Sequence, residues 1–176
     1  ESQGIAPYVR SVLTKKLQDW CNTHKNPATG DNYDLYRDGL KIYTTIDPKM
    51  QLFAEEAVVK HMTSMQKKFN RQLPKNVWKG QENILNNAMK ESERWKNMKQ
   101  NGASDADIKK SFHEPVSMKV FAWNKKRETD TVMTPLDSTK YCKQMMQTGF
   151  CVMDPVTGEV KAWVGGPDFR YFKNDH

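Results

Sequence analysis

Long apolar runs are missing from this chain. A membrane-crossing helix needs roughly 20 consecutive apolar residues, and the apolar runs here last only a few residues, as in Phe150 to Met153. The opening stretch, ESQGIAPYVR, has neither the apolar centre of a secretory leader nor an initiator Met, so the chain is expected to be an excerpt of a longer protein. Cysteine is scarce. Cys21, Cys142 and Cys151 lie far apart, with no C-x-x-C pair and no His-bearing zinc pattern. Buried free thiols are the expectation, and one disulfide with a spare thiol stays open for an oxidising compartment. No glycine-rich phosphate loop occurs. Gly165-Gly166 stands alone and marks a tight turn or a close backbone approach. Apolar residues make up 37% of the chain, which suits one modest core better than a large enzyme core.

Charge is abundant. Twenty-eight Lys and Arg against 21 Asp and Glu leave a net charge of +7 among 176 residues. Such a balance fits a solvated Lys-rich surface, or an anionic partner such as nucleic acid, anionic lipid or an acidic polymer. The basic residues are scattered (Lys15, Lys16, Lys67, Lys68, Lys109, Lys110, Lys125, Lys126, Arg127), and no nucleic-acid-binding signature accompanies them.

Periodicity predicts a mixed α+β chain. Val9, Leu13, Leu17 and Cys21 recur every four residues after Pro7 and predict a first helix. Lys25 to Asn32 reads as a loop. Leu40 to Ile46 alternates and is β-branched, so a half-buried strand is expected there. Asp47-Pro48 starts a helix running to about Phe69, with Met50, Phe53, Ala54, Ala57, Val58, His61, Met62, Met65 and Phe69 as its inner stripe. A second long helix is expected over Gln81 to Gln100, ended by Asn101-Gly102. Ser104 and Asp107 form a capping-box pattern for a short helix to about Phe112. Strands follow near 116–123 and 129–133 around a charged turn, then a helix from Pro135 to about Gln147. The last elements are strands near 150–154 and 159–165, joined by the D-P-x-T-G turn with Gly158 at a positive φ. The strands are expected to form one small antiparallel sheet, with Phe150 to Met153 in its interior.

Four constellations could carry chemistry. Ser64-Met65-Gln66-Lys67 matches S-x-x-K, which sets a serine one helical turn from an activating lysine. Its context is wrong, because a nucleophilic serine needs free backbone N–H groups for an oxyanion hole, and Ser64 falls deep inside a helix. His61 lies on the predicted apolar stripe and reads as a core or interface histidine, with no Ser or Cys placed for it. His113-Glu114 is too small a set for a metal. Asp34, Asp38 and Asp47 include a possible carboxylate pair, but Asp47 is better read as a helix cap and Asp38-Gly39 as a turn. No catalytic, cofactor-binding or metal-binding residue is therefore assigned.

Three stretches carry a family resemblance. Asp38 to Val58, DGLKIYTTIDPKMQLFAEEAV, resembles the segment that joins the two catalytic domains of class A penicillin-binding proteins, through Gly39, Leu40, Ile42, Thr44, Thr45, Ile46, Asp47, Met50 and Gln51. Gly149 to Phe169 resembles the opening hairpin of that family's transpeptidase domain, through Asp154, Pro155, Thr157, Gly158, Val160, Ala162, Val164, Gly165, Gly166, Asp168 and Phe169. The segment from Lys119 to Gly149 is similar to the lead-in to that hairpin.

The resemblance implies a non-catalytic piece of a bifunctional peptidoglycan synthase, in which a glycosyltransferase polymerises lipid II and a transpeptidase cross-links stem peptides. It implies a periplasmic site and a membrane anchor elsewhere in the parent. The family's S-x-x-K serine follows the hairpin, so it is expected beyond His176, and the glycosyltransferase before Glu1. The expected organisation is a helical segment over 1–37, a linker over 38–133 with a helical insertion at 63–114, and the start of the transpeptidase domain over 134–176. Expected partners are the flanking catalytic domains, peptidoglycan strands touched through Lys161 and Trp163, and accessory proteins of wall synthesis. A basic nucleic-acid- or polymer-binding module is the alternative.

Overall fold

A computed structural model describes residues 4–173. The fold is α+β, with six helices and two antiparallel two-stranded sheets among these residues. The chain divides into two compact units, Glu1–Lys60 with Gln147–His176, and His61–Met146.

The first unit contains α1 (Pro7–Thr23), the first part of α2 (Pro48–Gln72), β3 (Phe150–Met153) and β4 (Val160–Val164). Asp47 caps α2 as expected: its Oδ1 accepts the N–H groups of Lys49 at 2.8 Å and Met50 at 2.9 Å. The hairpin also forms as expected. Asp154 Oδ1 accepts from Val156 and Thr157, Gly158 takes φ +73°, and Phe150 pairs with Val164. The N–H groups of Thr157 and Val156 hold the Asp154 carboxyl below the usual carboxylate range.

The outer edge of β4 is closed by a side chain. Trp163 N–H donates to Gln51 Oε1 at 2.8 Å, and Gln51 Nε2 donates to Trp163 C=O at 3.0 Å. Asp47 N–H donates to Lys161 C=O two residues earlier on the same edge. The Gln51 amide thus presents one donor and one acceptor, as a residue of a neighbouring strand would. It is fully buried.

This arrangement corrects the strand expected at 40–46. The segment lies beside β4, but its contacts there are the Thr45 hydroxyl, donating to Val160 C=O at 2.7 Å, and the Asp47 N–H. No backbone ladder forms, and Ile42 and Tyr43 are exposed rather than half-buried. The single sheet is also corrected, since β3–β4 and β1–β2 are separate two-stranded sheets. Phe150 and Met153 are exposed, so β3 is not an interior strand.

Gly165 and Gly166 follow β4 and are buried. A Cβ on Gly166 would overlap the Tyr8 hydroxyl and stand 2.8 Å from Tyr8 Cζ, so the close approach read from the sequence is real. Tyr8 donates its hydroxyl to Phe172 C=O at 2.7 Å and meets the Phe169 ring edge-on at 5.2 Å. Lys161 and Trp163, through which contact with peptidoglycan strands was expected, are half-buried rather than exposed, and Lys161 is paired with Glu159 at 2.6 Å.

The second unit holds the rest of α2, α3 (Glu82–Glu91), α4 (Glu93–Gln100), α5 (Asp105–Ser111), β1 (Val116–Phe121), β2 (Glu128–Met133) and α6 (Pro135–Lys143). The helix expected over Gln81 to Gln100 breaks at Ser92. That residue is extended, its hydroxyl donates to Met89 C=O at 2.6 Å, and its oxygen caps Trp95 N–H. Serine competes for backbone partners in this way and so suits a cap better than a helix interior. Ser104 caps α5 as expected. Helix α6 ends at Lys143, four residues short of Gln147, with Gln144 as its C-cap. Met89, Trp95, Ile108 and Phe112 form the core, with Met98, Ala103 and Leu136 against it. Burial alternates along β1: Val116, Met118 and Val120 turn inward while Ser117 and Lys119 face out.

The inner stripe of α2 is offset from the predicted one. Gln51, Ala54, Val58, Met62 and Gln66 are buried, whereas Met50, Phe53, Ala57 and His61 are exposed. The cysteines are free, and of the three only Cys21 is buried, which corrects the expectation of buried thiols at Cys142 and Cys151.

Candidate functional site

The second unit contains a cavity of about 330 Å³. Its walls come from α2 (Thr63, Gln66, Lys67, Asn70), the turn after it (Leu73), the residue that follows the end of β1 by two (Trp123), and the end of α6 (Tyr141, Gln144, Met145). The volume lies at the lower end of ligand-sized cavities, about 300–1,000 Å³.

Gln66 organises the wall. Its Oε1 accepts Met146 N–H at 2.8 Å, and its Nε2 donates to Gln144 C=O at 3.1 Å and to Asn70 Oδ1 at 2.8 Å. The Thr63 hydroxyl donates to Trp123 C=O at 2.9 Å, and the Tyr141 hydroxyl donates to Phe121 C=O at 2.7 Å. Burial pushes the Tyr141 phenol up, with Cys142 adding to the shift, so it stays protonated at neutral pH. Trp123 is buried, meets Phe121 edge-on at 5.1 Å, and carries the Arg127 guanidinium 6.0 Å from its ring centre. Its Nε1–H is the one buried side-chain nitrogen or oxygen without a hydrogen-bond partner among the described residues. Leaving such a donor unmet costs about 1–3 kcal/mol.

The residues weighed from sequence are placed elsewhere, with Lys67 the exception. Ser64 is exposed in the middle of α2, beside the cavity-lining pair Gln66 and Lys67 but not lining the cavity itself. His61 is exposed, which corrects its placement on the apolar stripe. His113 Nδ1 lies 2.9 Å from Lys109 C=O. The three aspartates are spent on backbone: Asp34 Oδ1 accepts from Tyr36 and Arg37, Asp38 Oδ2 accepts Asp34 N–H, and Asp47 caps α2. No group of three metal-ligating side chains occurs among the described residues. Among the described residues, no helix is long and apolar enough to cross a membrane.

Sequence reasoning missed Gln66, Asn70, Trp123, Tyr141 and Gln144 as a set. One signal was present. Gln51 and Gln66 fall on the buried stripe at helical spacing, and a glutamine in that position needs polar partners on whatever packs against it.

Residues 73–146, which lie wholly within the second unit, match the family model described as penicillin-binding protein middle domain. The match supports a penicillin-binding protein fragment at its middle region, which fits the resemblance carried by Asp38 to Val58 and Gly149 to Phe169 on either side. No curated protein and no solved structure matches the chain.

Proposed function

We propose that this chain is a non-catalytic connecting region of a bifunctional peptidoglycan synthase, which spaces and orients a glycosyltransferase and a transpeptidase so that nascent glycan reaches the cross-linking serine. The match of residues 73–146 to a penicillin-binding protein middle domain carries this reading. A second observation supports it. The two flanking segments that resemble the family meet in one unit, through the bonds of Thr45, Asp47 and Gln51 to β4. In this reading the chain works in the periplasm, tethered by an anchor elsewhere in the parent. Its partners are the two catalytic domains, and peptidoglycan strands and accessory proteins come second.

Two measurements test it. A fluorescent penicillin leaves this chain unlabelled; covalent labelling abolished by Ser64→Ala would overturn the non-catalytic reading. Removing residues 61–146 from the parent synthase is expected to preserve glycan polymerisation and to lower cross-linking of the nascent strands. Unchanged cross-linking would overturn the orienting role.

A further inference from the structure

We infer that the end of α2 and the turn after it form a basic surface that docks on an anionic lipid bilayer, a role beyond the connecting one. Charge is segregated along the chain. Residues 61–146 hold 17 Lys and Arg against nine Asp and Glu, while the remaining residues hold 11 against 12. The second unit therefore carries the whole positive excess. Within it, no Asp or Glu occurs from His61 to Gln81, the stretch that holds Lys67, Lys68, Arg71, Lys75 and Lys79. All five are exposed, and none has a side-chain partner among the described residues. Elsewhere in the unit Asp105, Glu128 and Asp137 each hold a lysine.

The arrangement is unfavourable by itself. Arg71 follows Lys68 by three residues and Lys67 by four on α2, spacings at which like charges repel. The negative end of the helix offsets part of this within its last turn, but Lys75 and Lys79 lie past Gln72. Backbone bonds order that turn: Leu73 N–H donates to Phe69 C=O at 3.1 Å, Val77 to Pro74 at 3.2 Å and Lys79 to Asn76 at 2.9 Å. An apposed anionic surface relieves the repulsion for all five cations. Composition selects lipid among the polyanions. Four of the five are lysines, mobile point charges suited to diffuse attraction, whereas the arginine fork that grips phosphates in nucleic acids occurs once. Phe69, Leu73, Val77 and Trp78 alternate with them and are only partly buried. Apolar side chains among lysines suit a headgroup–acyl boundary, while a soluble polyanion has no apolar phase to offer Leu73 and Val77.

The test is flotation of the full chain with vesicles of phosphatidylcholine alone and of phosphatidylcholine mixed with phosphatidylglycerol. Binding is expected only to the mixed vesicles and is expected to weaken as salt rises. Each cation near an anionic bilayer contributes about fivefold in affinity, so Lys68→Gln, Lys75→Gln and Lys79→Gln together are expected to weaken binding about a hundredfold. Their exposed positions leave thermal unfolding unchanged. A control that removes the same charge from another face, Lys96→Gln with Lys109→Gln and Lys110→Gln, is expected to lose far less. No binding to the mixed vesicles overturns the proposal. Equal losses in the two triple variants overturn it in favour of net charge alone. Displacement from the vesicles by poly-glutamate or duplex DNA at equal charge concentration overturns it in favour of a soluble polyanion. Vesicle binding reads this surface alone, so its failure leaves the connecting role and its two measurements standing.

Discussion

Gln51 and Trp163 stand 112 residues apart in sequence and exchange two hydrogen bonds, one through each half of the glutamine amide. Gln51→Leu keeps the bulk but leaves the Trp163 N–H and C=O without these partners. A loss of about 2–4 kcal/mol is expected, from two stranded backbone groups. Urea unfolding measures it, and faster hydrogen exchange at the Trp163 amide localises it. A change below about 0.5 kcal/mol, the size of an ordinary surface substitution, would show that the edge does not depend on this amide.

Gln66 makes the same kind of clamp in the other unit, and an isosteric change separates its two halves. Gln66→Glu retains an acceptor for Met146 N–H but turns a carboxylate oxygen toward Gln144 C=O and Asn70 Oδ1. The charged form is disfavoured when folded, so the pKa of the introduced carboxyl rises above its unfolded value near 4.3. The variant is therefore expected to be less stable than wild type at pH 7 and to recover part of the deficit toward pH 4, where the carboxyl is protonated and can donate. A deficit that is flat between those pH values would contradict the geometry.

Gly166 is expected to reject alanine. The added methyl meets the Tyr8 hydroxyl and Cζ, so Tyr8 must withdraw and surrender its bond to Phe172. Overpacking of this sort costs about 1–3 kcal/mol. Tyr8→Phe removes the nearest atom but not Cζ, so it is expected to rescue Gly166→Ala only in part. Full rescue would place the clash in the hydroxyl alone.

Thr134 caps α6, its oxygen accepting Asp137 N–H at 3.0 Å while its hydroxyl donates to Asp137 Oδ2 at 2.7 Å. Thr134→Ala is expected to cost about 1 kcal/mol, the usual worth of such a cap. The Thr134 hydroxyl and the Lys140 ammonium hold the Asp137 carboxyl below its ordinary value. A folded pKa below the unfolded one stabilises the fold above the unfolded pKa, and this is lost as pH falls through the folded value. Asp137→Asn is therefore expected to flatten the acid limb of the stability–pH curve below about pH 4, and an unaltered limb would assign it to other carboxylates.

Local rules explain why much of this fold was legible. Asp47-Pro48, Ser104 with Asp107, and Thr134-Pro135 each announce a helix start by satisfying orphan N–H groups, and each is found where expected. The D-P-x-T-G turn likewise carries its own hydrogen bonds. What escaped depends on distant partners. Leu40 to Ile46 has the alternation of a strand, but the place beside β4 is occupied by the Gln51 side chain, which no local pattern reveals. The α2 stripe was misphased because Met50, Phe53 and His61 look like core residues while Gln51 and Gln66 do not. Burial went instead to the two glutamines whose amides could bond to backbone across the fold. The cavity drew two residues from the span of a rejected motif, Gln66 and Lys67, and the rest from helix faces and turns that proximity alone brings together.

The Gln51 clamp gives the β3–β4 hairpin a direction. One side of β4 is consumed by an amide and by the Asp47 N–H, while β3 has no second strand partner among the described residues and displays Phe150 and Met153. A strand that joins this sheet must therefore dock along β3, so the hairpin is a one-ended template whose growth can proceed on a single flank.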